Sequence, residues 1–258
     1  MEVKRVEVGT MKLLIYNSPE DAGQAAAQHV GEALRRLDRP GSEIGVIFAT
    51  GASQLKTLDA LTGMSDLPWE RVRGFHMDEY VGIDENHPAS FRRYLREKLT
   101  GRVPIGKFFE IDGSSSNIEQ VRREYIHQLS AANPQICLLG IGENGHLAFN
   151  DPGVANFEDP DAMKVVALDA VCRGQQLAEG WFQTLDEVPA QALTLTIPTL
   201  FKVPKLIVSV PGRRKARSVR RTVEEPISTA CPATILRTHP DATIYLDRES
   251  ASELAPLL

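Results

Sequence analysis

Leu138-Leu139-Gly140-Ile141-Gly142-Glu143-Asn144-Gly145-His146-Leu147-Ala148-Phe149-Asn150-Asp151-Pro152 carries an apolar run into a glycine-rich turn and on to a titratable imidazole. The run begins at Ile136, has strand length, and reads as a buried strand because its apolar residues are consecutive. Working outward, similar runs read as strands at 11–16, 44–49, 72–76, 192–196, 205–210 and 242–246. A helical period runs over 22–37, and further helical patterns separate most of the strands. This alternation predicts an α/β fold, with a largely parallel sheet covered by helices on both faces.

The 258 residues are read as a single domain spanning 1–258. Pro, Gly and acidic residues between Asp151 and Asp161 mark an excursion, and the segment at about 152–185 is a candidate lid or rim. A formal charge of −5 argues against a nucleic-acid partner but leaves room for a local basic pocket holding a small anion. No apolar run approaches the roughly 18 residues that span a bilayer, and the charged start Met1-Glu2-Val3-Lys4-Arg5 lacks the apolar core of a signal peptide, so no membrane partner is expected. Cys137, Cys172 and Cys231 are far apart and form no C-x-x-C pair, which fits structural thiols in a reducing cytoplasm. The six histidines lack H-E-x-x-H or another tight ligand spacing, so no metal is expected.

In an open parallel sheet, ligands gather beyond the carboxyl ends of the strands. Three such ends carry reactive or anion-binding residues. The run at 44–49 leads into Thr50-Gly51-Ala52-Ser53, where a glycine turn, two hydroxyls and the start of a helix offer donors to a phosphate. The other reading of these residues is a plain turn with Ser53 as a helix cap. The run at 72–76 leads into Asp78-Glu79. Adjacent strand side chains diverge, so one carboxylate can face a cleft while the other anchors the loop; a solvated acidic loop is the competing reading. At the third end, His146 sits among Asn144, Asn150 and Asp151, either exchanging protons or only hydrogen-bonding its own loop. Gly140-Ile141-Gly142-Glu143-Asn144-Gly145 matches the bare G-x-G-x-x-G pattern, but no acidic ribose contact follows in a clear βαβ unit, so a nucleotide cofactor is not expected.

Phe75-His76-Met77-Asp78-Glu79-Tyr80-Val81-Gly82 and Gly140-Ile141-Gly142-Glu143-Asn144-Gly145-His146-Leu147-Ala148-Phe149-Asn150 together resemble the glucosamine-6-phosphate deaminase family. The resemblance extends from about Met11 to Asp247 and takes in Thr50-Gly51-Ala52-Ser53 and Pro211-Gly212-Arg213-Arg214-Lys215-Ala216. It implies a Rossmann-like three-layer fold, a phosphorylated amino sugar as partner, no cofactor, and conversion of glucosamine 6-phosphate to fructose 6-phosphate and ammonia. By the same resemblance, Asp78 matches the base that moves a proton between C2 and C1, and His146 matches the ring-opening residue. Asn144 and Asp151 match positions that orient or charge the imidazole. The loop Thr50, Gly51, Ala52, Ser53 and Lys215 match phosphate contacts, and Arg173 resembles an arginine that reaches the substrate.

Three positions depart from the family pattern: Asn144 where Asp is common, Asp151 where Glu is common, and Ala52 where a second glycine is frequent. Asn144 carries no charge, so any charge given to His146 must come from Asp151, one methylene shorter than the usual Glu. The acidic stretch Asn156-Phe157-Glu158-Asp159-Pro160-Asp161 replaces the basic cluster of the regulated family branch, so activation by an acetylated sugar phosphate is not expected. The competing enzymatic readings are a galactosamine-6-phosphate deaminase-isomerase and a 6-phosphogluconolactonase. A sugar-phosphate sensor is the non-enzymatic alternative; it predicts lost acid–base groups and a DNA-binding segment, for which the roughly ten residues before the first expected strand leave no room. A homo-oligomer is left open.

Overall fold

The computed structural model describes residues 2–168, 170–178 and 180–254. Its strands are β1 (Glu2–Val8), β2 (Met11–Tyr16), β3 (Ile44–Phe48), β4 (Val72–His76), β5 (Asp78–Tyr80), β6 (Lys107–Phe109), β7 (Ile136–Leu139), β8 (Met163–Ala167), β9 (Gln191–Leu195), β10 (Lys205–Val210) and β11 (Ala242–Asp247). Its helices are α1 (Pro19–Leu37), α2 (Leu55–Thr62), α3 (Phe91–Leu95), α4 (Ile118–Ala132), α5 (Ala170–Ala178), α6 (Ile197–Phe201) and α7 (Ala216–Glu224).

Eight strands form the main sheet in the order β1-β2-β11-β10-β7-β3-β4-β6, and every pairing is parallel except β1 with β2. Period-two alternation sends neighbouring side chains into different layers. Val46 and Phe48 pack with Leu138, Ile207 and Tyr245 against Ala26 and Val30 of α1 and Leu58 of α2. Ile47 faces the other way, with Cys137, Leu139 and Val208, towards Tyr125 and Leu129 of α4 and Val219 and Val223 of α7. Both faces are therefore covered, as the consecutive apolar runs predict. Burial of a side chain such as Leu34 or Leu58, each without exposed surface, contributes roughly 1.5–3 kcal/mol.

The long first helix starts three residues earlier than its apolar period indicates. Ser18 caps it by accepting from the Asp21 N–H at 3.1 Å, and Pro19 occupies the first turn, where no intrahelical donor is needed. β1 is a further departure from the sequence reading. Its residues alternate between exposed and partly buried, and the charged side chains of an edge strand hide it from any search for apolar runs.

The segment expected as a strand at 192–196 is displaced from the main sheet. It forms β9 of a separate antiparallel sheet, β5-β9-β8, in which Asp78 is opposite Thr194 and Val165 is opposite Leu193. A third apolar cluster, including Tyr80, Phe149, Val166, Cys172 and Phe182, fills the space beneath this small sheet. The 152–185 segment holds no helix or strand over 152–161, as its Pro and Gly content predicts, and then contains β8 and α5. No helix among the described residues is long and apolar enough to cross a membrane.

Chain direction across the main sheet reverses between β3 and β7. From β3 the chain moves outward to β4 and β6, then returns to β7 and proceeds through β10 and β11 towards the other edge. A crevice opens beyond the carboxyl ends of strands at such a switch point.

Candidate active site

Two turns of the same construction flank the end of β7. After β3, Gly51 adopts φ +88° and leads through a 3₁₀ turn, Ala52–Gln54, into α2. After β10, Gly212 also adopts φ +88° and leads through Arg213–Lys215 into α7. Side chains other than glycine are strained in this left-handed region. Each turn directs the unpaired N–H groups of a helix start towards the crevice, where they favour an anion. Both turns are anchored from below. Gln54 Nε2 donates to the Leu139 carbonyl at 3.0 Å, and Tyr94 Oη donates to the Gly51 carbonyl at 2.9 Å. Asp247 Oδ2 accepts from the Gly212 N–H at 2.7 Å. Arg214 crosses to Glu143 of the β7 loop at 2.8 Å.

Between these turns lies a cavity of about 390 Å³. Thr50, Gly51, Ala52, Ser53, Lys215, Asp78 and His146 all line it, together with Phe91, Ala148, Phe149, Gln176 and Trp181. Groups from three separate strand ends are thus collected in one space.

Asp78 and Glu79 diverge as strand neighbours must. Glu79 has no exposed surface and accepts from the N–H groups of Tyr80, Phe91 and Arg92 and from Ser90 Oγ, at 3.0–3.2 Å. The Arg92 guanidinium is 3.5 Å away. Glu79 therefore ties β5 to the start of α3. Asp78 lines the cavity while only 6% exposed, and its Oδ1 has no hydrogen-bond partner among the described residues. Burial, followed by the neighbouring Glu79 carboxyl, pushes the Asp78 carboxyl well above its ordinary range. A carboxyl in this state is a stronger base than one in water.

The His146 ring lies against the backbone of Gly142, where an added Cβ would come within 2.2 Å of Nε2. The loop closes through the Gly142 N–H to the His146 carbonyl at 3.0 Å, and Asn144 Oδ1 accepts from the His146 N–H at 3.0 Å. Asp151 Oδ1 is 2.8 Å from His146 Nδ1 and accepts from Asn144 Nδ2 at 2.7 Å. Burial raises the Asp151 carboxyl pKa, but the His146 hydrogen bond and charge, with Asn144 and the Cys172 thiol, outweigh it and hold the group below its usual range. An ionised Asp151 can only accept, so Nδ1 of His146 carries the proton and donates, and Nε2 is left as an acceptor. Nε2 has no hydrogen-bond partner among the described residues, and the ring lines the cavity. Ala148, two residues on, holds φ +51°, the left-handed conformation unusual for a residue with a Cβ.

Most of the residues singled out from sequence converge on this cavity or directly behind it. Asn144 and Asp151 do not line it; they brace His146 from the rear. Arg173 is the departure. Its guanidinium donates to the carbonyls of Val188, at 3.2 Å, and Leu185, and it does not line the cavity. From the same helix, α5, Gln176 lines the wall. Gln176 and Trp181 lack a recognisable spacing signal, whereas Arg213 and Arg214 stand in the stretch Pro211-Gly212-Arg213-Arg214-Lys215-Ala216 with no role assigned to them. His76, which follows the β4 core, is fully buried. Its Nε2 accepts from the Ile111 N–H at 2.7 Å and its Nδ1 lies 2.9 Å from the Asp78 carbonyl, so burial lowers its pKa to about 3 and its role is to hold the loop. Among the described residues, no group of three or more His, Cys, Asp or Glu side chains is placed to hold a metal ion.

A Rossmann-like sheet whose switch point gathers a buried carboxyl, a carboxylate-braced imidazole and two glycine turns with helix starts has the form of a site for a small anionic ligand. Residues 17–245 match the family described as glucosamine-6-phosphate isomerases/6-phosphogluconolactonase, and the chain belongs to that family. A glucosamine-6-phosphate deaminase of Oenococcus oeni is 30% identical over 246 residues, covering 95% of this chain and 99% of that one. One from an Arthrobacter species is 32% identical over 250 residues, covering 95% and 93%. A solved monomeric glucosamine-6-phosphate deaminase superposes with a TM-score of 0.85 at 28% identity, covering 93% of this chain and 99% of that one. The 6-phosphogluconolactonase of Thermotoga maritima superposes with a TM-score of 0.73 at 19% identity, covering 91% and 99%, which is a likeness of fold alone.

Proposed function

We propose that the protein is a glucosamine-6-phosphate deaminase, releasing fructose 6-phosphate and ammonia from glucosamine 6-phosphate. The observation that carries this reading is the buried Asp78 carboxyl, with its unpartnered Oδ1, in the same cavity as His146 and the Lys215 turn. The phosphate is held by the Thr50–Ser53 and Arg213–Lys215 turns, whose backbone donors, hydroxyls and Lys215 ammonium complement its charge. His146 Nε2 takes the C1 hydroxyl proton and returns one to the ring oxygen, opening the pyranose. Asp151 stabilises the imidazolium that forms in between. Asp78 then moves the C2 proton to C1 while a proton passes from the 2-amino group to the C1 oxygen, so the amino aldehyde becomes a C2 imine beside a C1 hydroxyl. Water adds to the imine, and ammonia leaves as the C2 ketone forms.

Lactone hydrolysis would require an activated water but no acceptor for a carbon-bound proton, so a buried basic Asp78 favours the deaminase over the lactonase. Cys137, Cys172 and Cys231 are buried and in no disulfide, which suits a reducing compartment and supports placement in the cytoplasm. The test is ammonia and fructose 6-phosphate release from glucosamine 6-phosphate, with galactosamine 6-phosphate and 6-phosphogluconolactone run in parallel. Release of both products from the glucosamine substrate is expected, and its loss in Asp78→Asn. Turnover of the lactone alone would overturn the reading.

A further inference from the structure

Gln176 is a polar side chain of α5 at the cavity wall. It is only 7% exposed and lines the cavity shared by Asp78 and His146. Its carbonyl Oε1 accepts from Tyr80 Oη at 2.6 Å. Tyr80 has no exposed surface and lies two positions beyond Asp78 on β5, so strand alternation puts both on the same face. Phe91, Phe149 and Phe182 surround its ring, with centroids at 5.1, 5.3 and 5.6 Å. The hydroxyl is therefore held in position, and it fixes which end of the Gln176 amide faces inward. With Oε1 engaged, the amide nitrogen retains two N–H donors, and Nε2 has no hydrogen-bond partner among the described residues.

These two donors sit on a largely buried side chain at the cavity wall, where they are available to an acceptor held in the cavity. A phosphate is already provided for by the two glycine turns and Lys215. Phe91, Ala148, Phe149 and Trp181 also line the cavity and give it an apolar portion. The neutral amide suits a neutral acceptor, namely a hydroxyl oxygen of the sugar chain.

We propose that Gln176, oriented by Tyr80, is a substrate-binding residue that donates a hydrogen bond to a hydroxyl of the phosphorylated sugar and so selects the carbon skeleton attached to the phosphate. The inference builds on the sugar-phosphate reading of this cavity. It predicts that the sugar part of the ligand, and not its phosphate, is what Gln176 senses.

The experiment measures calorimetric binding of glucosamine 6-phosphate, and separately of inorganic phosphate, to the Asp78→Asn protein with and without Gln176→Glu, Gln176→Ala or Tyr80→Phe. Gln176→Glu keeps the size of the side chain and an acceptor for Tyr80 but removes both donors. Gln176→Glu and Gln176→Ala are expected to weaken glucosamine 6-phosphate binding about tenfold or more, with Gln176→Ala leaving inorganic phosphate binding within about twofold. Tyr80→Phe retains the aromatic packing and is expected to give a smaller loss, because the amide is present but no longer fixed. Thermal unfolding of each variant establishes that the compared proteins are folded. Unchanged sugar-phosphate affinity in both Gln176 variants overturns the inference, as does an equal loss for inorganic phosphate in Gln176→Ala. Failure of the deaminase reading has a different signature: the unmodified protein binds the sugar phosphate but releases no ammonia.

Discussion

Asp78 sets function against stability at a single residue. Folding buries its carboxyl and raises its pKa, so the unfolded chain gives up a proton that the folded chain holds. The resulting penalty is absent below the unfolded value near pH 4 and grows as pH rises towards the folded pKa. Asp78→Asn should therefore abolish turnover yet stabilise the fold by about 1–3 kcal/mol at pH 7, with the gain shrinking towards pH 4. Denaturant titrations at the two pH values check this, and an equal difference at both would contradict the assigned burial. Asp151 has the opposite sign. Its lowered carboxyl pKa contributes stability above the unfolded value, lost as pH falls through the folded one. Asp151→Asn should free His146 to adopt the other tautomer and reduce kcat about 10²-fold or more, with a much smaller change in KM. Gly142→Ala should act on the same imidazole by steric displacement, because its Cβ would overlap the ring. Asp78, His146, Asn144 and Asp151 were all legible as residue types beside glycine turns. Which of them lines the cavity and which stands behind it was not, since that depends on how the loop folds back.

At the scale of elements, the β5–α3 connection rests on one buried carboxylate. Glu79 collects two N–H groups at the start of α3, the hydroxyl that caps it and the Arg92 guanidinium, with Ser90 and Arg92 themselves buried. Glu79→Ala should destabilise the protein by about 3–5 kcal/mol, read as a lower denaturation midpoint, because it leaves the buried Ser90 hydroxyl and Arg92 N–H without their shared acceptor. Partial loss of activity should follow from displacement of neighbouring Asp78. The 3₁₀ turns after β3 and β10 were readable from Thr50-Gly51-Ala52-Ser53 and Pro211-Gly212-Arg213, since glycine after an apolar run marks a turn with a left-handed residue. Helix α5 was harder. Its sequence contains both Arg173 and Gln176, and only packing against 185–188 turns the arginine away and the amide inward.

Across the whole molecule, the cavity draws on residues as far apart as Ala49 and Lys215, so a ligand there clamps both halves of the sheet together. At one hundred times its dissociation constant, a sugar phosphate should add about 2.7 kcal/mol, raising the thermal midpoint by roughly 5–10 °C. A shift confined to local probes, without movement of the global transition, would show that the two halves unfold independently. Consecutive apolar runs required strands buried on both faces, and alternation with helical periods required a parallel sheet in three layers; both follow from local sequence because backbone hydrogen bonding and side-chain period are local. Glycine, carboxylate and imidazole positions at strand ends likewise marked in advance residues that meet at the cavity. Tertiary structure alone decided that β9 leaves the main sheet to pair with β5 and β8, that charged β1 closes an edge, and that Gln176 lines the cavity. Each of these depends on which distant segment supplies a hydrogen-bond partner or an apolar surface, and no pattern within the segment itself encodes that choice.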